Sequence, residues 1–178
     1  METPQGHVSC QIPSLQSMSE GDAQVPRPSL LRLMKLAVRR RLSPRQERTF
    51  KARTNELMNQ VARLLGRETR PATTIASVGL KAGDQVRVRS REEIEATLNH
   101  WGQLRGCSFM AEMAQYCETT QRVHKVMERF VDERDLRVKK VKGIVLLDGL
   151  RCEGTAEFGR CDRSCLYFWR EEWLERIE

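Results

Sequence analysis

The sequence predicts an α+β protein: two basic helices followed by a small β-rich module, a twisted or SH3-like barrel with short helices. Three observations carry that expectation. Residues 29–66 show helical periodicity interrupted by a capping restart. Residues 80–178 show short β-branched alternations separated by turn residues. Tyr167, Phe168, Trp169 and Trp173 fall within seven residues near the end. Aromatic side chains carry large apolar area, so the C-terminal segment is expected in the core.

Taken in order, residues 1–28 are rich in Ser, Gln, Pro and Gly without periodicity and read as a disordered tail. In residues 29–42, Leu30, Leu31, Leu33, Met34, Ala37 and Val38 recur at helical spacing behind the capping residue Ser29. Ser43, Pro44 and Gln46 then form a capping box with proline at the first helical position. They start a second helix over 44–65, with Phe50, Leu57, Met58, Val61, Leu64 and Leu65 on its apolar face and Gly66 to end it. Residues 67–79 read as a linker.

The module begins near Leu80. Val86 and Val88 alternate with polar residues over 85–89, a short strand after the Gly83-Asp84 turn. Ser90 and Glu93 form a second capping box and predict a helix over 91–98. Residues 100–106 read as a loop, and 109–116 as a short helix that delivers Cys117 at its end. Residues 121–131 fit either period: Val123, Met127, Phe130 and Val131 suit a helix. The β-branched content and the alternation over 136–141 favour a strand in a hairpin. Residues 144–147 form a compact apolar strand, Asp148-Gly149 turns the chain, and 165–177 read as a strand followed by a short helix around Trp173.

The formal charge of +7 is a property of one segment. Residues 1–26 carry −3, residues 27–70 carry +10, and residues 71–178 carry zero. An anionic membrane surface or nucleic acid would therefore meet the basic helices, where Arg39, Arg40, Arg41, Arg45 and Arg48 crowd the junction, and not the module. The other reading of these arginines is the solvated face of a helical hairpin packed on the module or on a protein partner. With Phe50 as its one aromatic, the segment is poorly suited to stacking on bases. No stretch approaches the roughly 18–20 apolar residues of a membrane span, and the first 25 residues lack a basic region followed by an apolar one. A cytoplasmic location is expected, where thiols stay reduced and cysteines point to metal or redox chemistry before disulfides.

Six cysteines are present. Cys152, Cys161 and Cys165 lie within fourteen residues, in a glycine-containing loop with little apolar content of its own. Zinc takes four nitrogen or sulfur ligands in a tetrahedral array and fixes such loops. Cys117, at the end of an element, is the expected fourth ligand, with His124 as its substitute. An iron–sulfur cluster also takes four thiolates and is the alternative cofactor. The C-x8-C-x3-C spacing differs from paired zinc-ribbon knuckles, so small buried hydrophobes or a redox pair are competing readings. Arg151, Arg160 and Arg163 flank these cysteines and would favour thiolate. Cys10 and Cys107 stand outside the set. His100 or His124 could serve a cysteine nucleophile, although nothing in the sequence places either one. Glu171-Glu172 reads as solvated helix surface. The chain contains no P-loop, G-x-G-x-x-G, H-E-x-x-H or G-x-S-x-G pattern.

The runs 83–90, 109–117, 147–152 and 161–174 together resemble an uncharacterised bacterial family of small four-cysteine proteins. Its pattern is G-x-x-V-x-V-R-S, F-M-x-E-M-x-x-Y-C, L-x-G-L-R-C and C-x3-C-L-x-F-W-x-x-x-W-L. The likeness covers about 95 residues. It implies that Cys117, Cys152, Cys161 and Cys165 belong together, and it implies a setting near secondary-metabolite or polysaccharide genes. The family often carries a further His and Cys in the region of residues 125–131; this chain has no Cys there. The expected function is a metal-stabilised accessory or binding protein of a biosynthetic pathway, with a protein partner. An iron–sulfur or thiol-dependent accessory enzyme, and an anionic-surface binder acting through residues 30–65, are the alternatives.

Overall fold

The computed structural model describes residues 11–15, 17–21, 30, 34, 37, 41–66, 79–156 and 158–177. It has the expected α+β architecture, with a five-stranded antiparallel sheet at its centre. Most of the first basic helix, the linker and most of the N-terminal tail lie outside the described residues. Within that helix Leu30, Met34, Ala37 and Arg41 are helical and exposed. Within the tail, Ile12–Ser14 forms one 3-10 turn.

Helix α1 spans Pro44–Leu64, where both bonds of the Ser43–Gln46 capping box are made. Gly66 follows at φ +64°. Among the described residues nine strands follow. Strand β1 is Gln85–Val88, with Val86 and Val88 buried and their neighbours exposed. Helix α2, Arg91–Thr97, starts on the Ser90–Glu93 capping box. Strands β2 (Gln103–Leu104) and β3 (Cys107–Ser108) form a tight hairpin within the region expected to be a loop. A 3-10 helix at Ala111–Tyr116 then leads to Cys117. Residues 121–131 are strand: β4 is Thr120–Asp132, and it turns into β5, Arg137–Leu147. Strands β6 (Gly154–Thr155) and β7 (Gly159–Arg160) form the cysteine hairpin. Strand β8 (Trp169–Arg170), a 3-10 turn (Glu171–Trp173) and β9 (Leu174–Arg176) end the module.

The main sheet has the order β8-β5-β4-β1-β9. Its two edges, β8 and β9, are joined by the single turn Glu171–Trp173. Four backbone steps from Arg170 to Leu174 reach at most about 14 Å. The edges of a flat five-stranded sheet would stand about 19 Å apart. The sheet must therefore curl. Strand β4 allows this, because its register shifts between Val123 and Lys125 and again between Met127 and Arg129. Such bulges bend a strand and increase its twist. Residues 120–122 of β4 pair with β1, and residues beyond pair with β5. A long bent strand shared by two neighbours, with edge strands linked by a 3-10 turn, is the order of an SH3-like barrel.

The core lies inside this curl. Val86, Val88, Val123, Val145, Leu147, Trp169, Trp173 and Leu174 line it, with Ile94 of α2 and Met113 of the 3-10 helix as plugs. Phe109 meets Trp173 edge-on at 5.6 Å and Trp169 at 6.5 Å. Trp173 Nε1 donates to Thr97 Oγ1 at 3.0 Å, whereas the buried Trp169 Nε1 has no hydrogen-bond partner. Phe168, expected with the other aromatics, is half exposed.

Glu171 and Glu172 are not solvated surface. They are 5% and 2% exposed. Arg170, itself buried, donates from Nε and Nη2 to the two carboxylate oxygens of Glu172 at 3.0 and 2.7 Å, and from Nη1 to Lys142 O. Arg105 adds a contact at 3.1 Å. Gly143 sits beneath the guanidinium, where a Cβ would come within 2.9 Å of Arg170 Nη2. Burial alone would raise the Glu172 pKa, but the Arg170 bonds, backbone bonding and the charges of Arg170 and Arg105 outweigh it and hold the carboxyl below its ordinary value. A carboxyl depressed on folding contributes stability above its ordinary value of 4.5 that is lost as pH falls through the lower folded value. Glu172→Ala should destabilise the module by about 3–5 kcal/mol in urea denaturation, because it strands a buried charge. Glu172→Gln should flatten the loss of stability expected of the native chain as pH falls below 4.5.

Candidate functional site

Three of the four expected ligands lie on one hairpin. After the Asp148-Gly149 turn, residues 150–155 run antiparallel to 159–167. Arg151 faces Leu166 across the strands, Cys152 N donates to Cys165 O at 2.7 Å, and Tyr167 N donates to Leu150 O at 3.1 Å. This register sets Cys152 opposite Cys165. Opposed residues in such a pair have Cα atoms about 5.5 Å apart, within the span of a disulfide. Further out, Cys161 N donates to Glu153 O at 2.9 Å. Gly154 makes the close pairing sterically feasible: a Cβ there would meet Gly159 O at 2.1 Å. The C-x3-C segment is a tight turn with Ser164 in the left-handed region, at φ +51°.

Cys161 and Cys165 are exposed, and Cys152 is half-buried. The Cys152 thiol donates to Gly154 O at 3.5 Å and lies beside Tyr167. Burial first, and the Cys152 neighbour second, push the Tyr167 hydroxyl up to about 12. The hydrogen bond to Glu133 first, and then the nearby Cys165 and Cys161, raise the Arg163 guanidinium pKa above its ordinary value against the lowering effect of burial. Arg163 binds Glu133 at 2.5 Å. Arg160 is paired with Asp162 at 3.0 Å, and Arg151 is exposed.

Cys117 has different surroundings. Burial raises its pKa first; Arg91 lowers it, and Glu118, Glu92 and Glu95 raise it again, leaving the thiol protonated at neutral pH. Its electrostatic neighbours thus belong to α2 and to Glu118. Two contacts connect its element to the hairpin: Ala156 N donates to Glu112 Oε1 at 3.2 Å, and the rings of Tyr116 and Tyr167 lie 6.1 Å apart. Among the described residues, no group of three or more His, Cys, Asp or Glu side chains is gathered closely enough to hold an ion. The structure places Cys152, Cys161 and Cys165 on one hairpin and Cys117 against α2. Cys107 packs on the core and donates to Phe168 O, and burial pushes its thiol up to about 12.

Neither histidine considered as a base contacts a cysteine in its hydrogen bonds. His124 Nδ1 lies 2.7 Å from Asp148 Oδ1, in an open hollow of about 320 Å³ lined also by Ala82, Gly83, Arg122 and Val123. His100 docks α1. Its backbone N–H donates to Asn55 Oδ1 at 3.1 Å, and its Nε2 lies 2.8 Å from Asn59 Oδ1. Lys51 reaches Gln103 and stands 5.9 Å over the Trp101 ring, which Phe50 also meets at 6.3 Å. Glu47 binds Arg134 at 2.8 Å. The basic helix therefore packs on the module, largely through polar side chains that sequence patterning passed over. Arg41, Arg45 and Arg48 are exposed; Arg39 and Arg40 lie outside the described residues.

No protein-family model, no curated protein and no solved structure matches the chain. Function must therefore be argued from these residues. Thiol reactivity follows exposure and thiolate content. With a charged alkylating reagent at neutral pH and under reducing conditions, Cys161 and Cys165 should react first and Cys107 last among the described cysteines, as read by peptide mass mapping. Fast labelling of Cys107 would contradict the placement described above.

Proposed function

We propose that the chain is a non-catalytic accessory module whose cysteine hairpin is a thiolate centre for zinc, serving a bacterial biosynthetic pathway through a protein partner. The observation that supports this reading is that Cys152, Cys161 and Cys165 lie on one hairpin with Arg163. Beyond Cys152 the hairpin is largely exposed, and a metal ion would cross-link its two strands. Binding free energy then becomes folding free energy for the loop, as in other small metal-dependent elements. Cys117 completes the ligand set if the 3-10 helix turns its end toward the hairpin, to which Glu112 and Tyr116 already tie it.

A second reading is favoured by the register of Cys152 and Cys165. Their opposition suits a dithiol that exchanges with a small-molecule disulfide: the two thiols give up two electrons and two protons and form one bond. The small molecule accepts both and becomes two thiols.

Purified full-length protein should contain one zinc per chain, lost in Cys152→Ser and Cys165→Ser. Chelation should lower the thermal midpoint by several degrees. A metal-free protein whose stability ignores chelator would sink the zinc proposal. Recovery of a single Cys152–Cys165 disulfide by mass mapping would favour the dithiol, and visible absorption after anaerobic purification would favour an iron–sulfur cluster in its place.

A further inference from the structure

The usual amphipathic helix turns its apolar side to the core. Helix α1 does otherwise. Glu47, Lys51, Asn55 and Asn59, spaced at i, i+4, i+8 and i+12, make the contacts to His100, Gln103 and Arg134. Leu57, Val61 and Leu64 lie on average about 150° round the helix from Asn55 and Asn59. Leu57, Val61 and Leu64 are 59%, 46% and 87% exposed, with Phe50, Met58 and Leu65 beside them in similar exposure. Leu30 and Met34 of the preceding helical segment are exposed as well. Exposed apolar stripes of this size on otherwise charged helices mark an interaction surface.

Charge selects the occupant. The stripe belongs to the segment 27–70, which carries +10, whereas the remainder of the chain sums to −3. A second copy seated on the stripe would bring two such segments together. An anionic bilayer would neutralise the charge and also receive the leucines. Nucleic acid would answer the arginines but leave the stripe in water. Arg45, Arg48 and Arg53 are exposed on the remaining surface of the helix. No helix among the described residues is long and apolar enough to cross a membrane, so the helix would lie in the interface plane. We infer that α1 is an interfacial anchor that seats the module on anionic lipid, with Leu57, Val61 and Leu64 entering the headgroup–acyl boundary. This inference is independent of the thiol centre.

Flotation of the full chain with phosphatidylglycerol–phosphatidylcholine vesicles, against pure phosphatidylcholine, tests it. Binding should require the anionic lipid and weaken with salt. Val61→Glu and Leu57→Glu should each lower partitioning at least tenfold, while an unchanged far-UV spectrum shows that the fold persists. Arg53→Glu, at an exposed position one helical turn from Leu57, should cost about fivefold and reduce the salt dependence. Equal binding to neutral vesicles, indifference to Val61→Glu, or a solution dimer dissolved by Val61→Glu without vesicle binding would each overturn the anchor. So would binding to duplex DNA in preference to vesicles that the stripe variants leave intact.

Discussion

The module depends on the five residues from Trp169 to Trp173. They carry the chain from one edge of the sheet to the other, and they do so with two fully buried indoles bracketing a buried Arg170–Glu172 pair. A buried ion pair is weak support for stability in itself, because desolvation offsets the attraction. Its use here is geometric. The bidentate fork has one geometry, and it holds the 3-10 turn, the β5 backbone at Lys142 and the β2–β3 turn at Arg105 together. Gly143 marks how closely β5 is drawn in: its φ of +70° and the short approach to Arg170 exclude other residues without strain. Once the edges are fixed, Trp169 and Trp173 present a continuous apolar wall to Phe109, and α2 and the Cys117-bearing 3-10 helix have a surface to cover.

Much of this was legible in the sequence wherever the signal was local. Both capping boxes and the Val86–Val88 alternation are set by chemistry within a few residues, and each appears where its residues predict. The strand at 121–131 was ambiguous because its apolar spacing satisfies two periods; pairing with 137–147 decided for the strand. The burial of Glu171 and Glu172 was not legible, since consecutive acids next to a tryptophan look like a helix surface until their partners arrive from Arg170 and, far along the chain, from Arg105. The docking face of α1 was missed for a related reason. Asn55 and Asn59 are neutral polar residues whose partner, His100, is supplied by the β2–β3 region, and hydrophobic patterning gives such residues no weight.

The cysteines divide along the same line. Clustering in sequence put Cys152, Cys161 and Cys165 in one loop, and they lie on one hairpin, which is a local object. The place of Cys117 was a long-range assignment. Its surroundings of Arg91, Glu92, Glu95 and Glu118 reflect how α2 packs on the barrel, which spacing does not encode. The arginines near the thiols also proved unequal, as Arg160 is occupied by Asp162 and Arg163 is shared with Glu133.

Two neighbouring residues at the β4–β5 turn connect the hairpin to the basic helix. Glu133 holds Arg163 of the cysteine turn, and Arg134 holds Glu47 of α1. This gives a contiguous path from the thiols to the helix, and it is natural to ask whether events at one reach the other. The magnitude argues against it. Surface ion pairs contribute about 0–1 kcal/mol each and are screened by salt. Two in series, through a turn with its own freedom, transmit less than either alone. Allosteric coupling between sites typically needs about 1–3 kcal/mol. The barrel thus carries its thiol hairpin and its helix as two separately acting attachments, and chemistry at the cysteines should leave the outward stripe of α1 where it is.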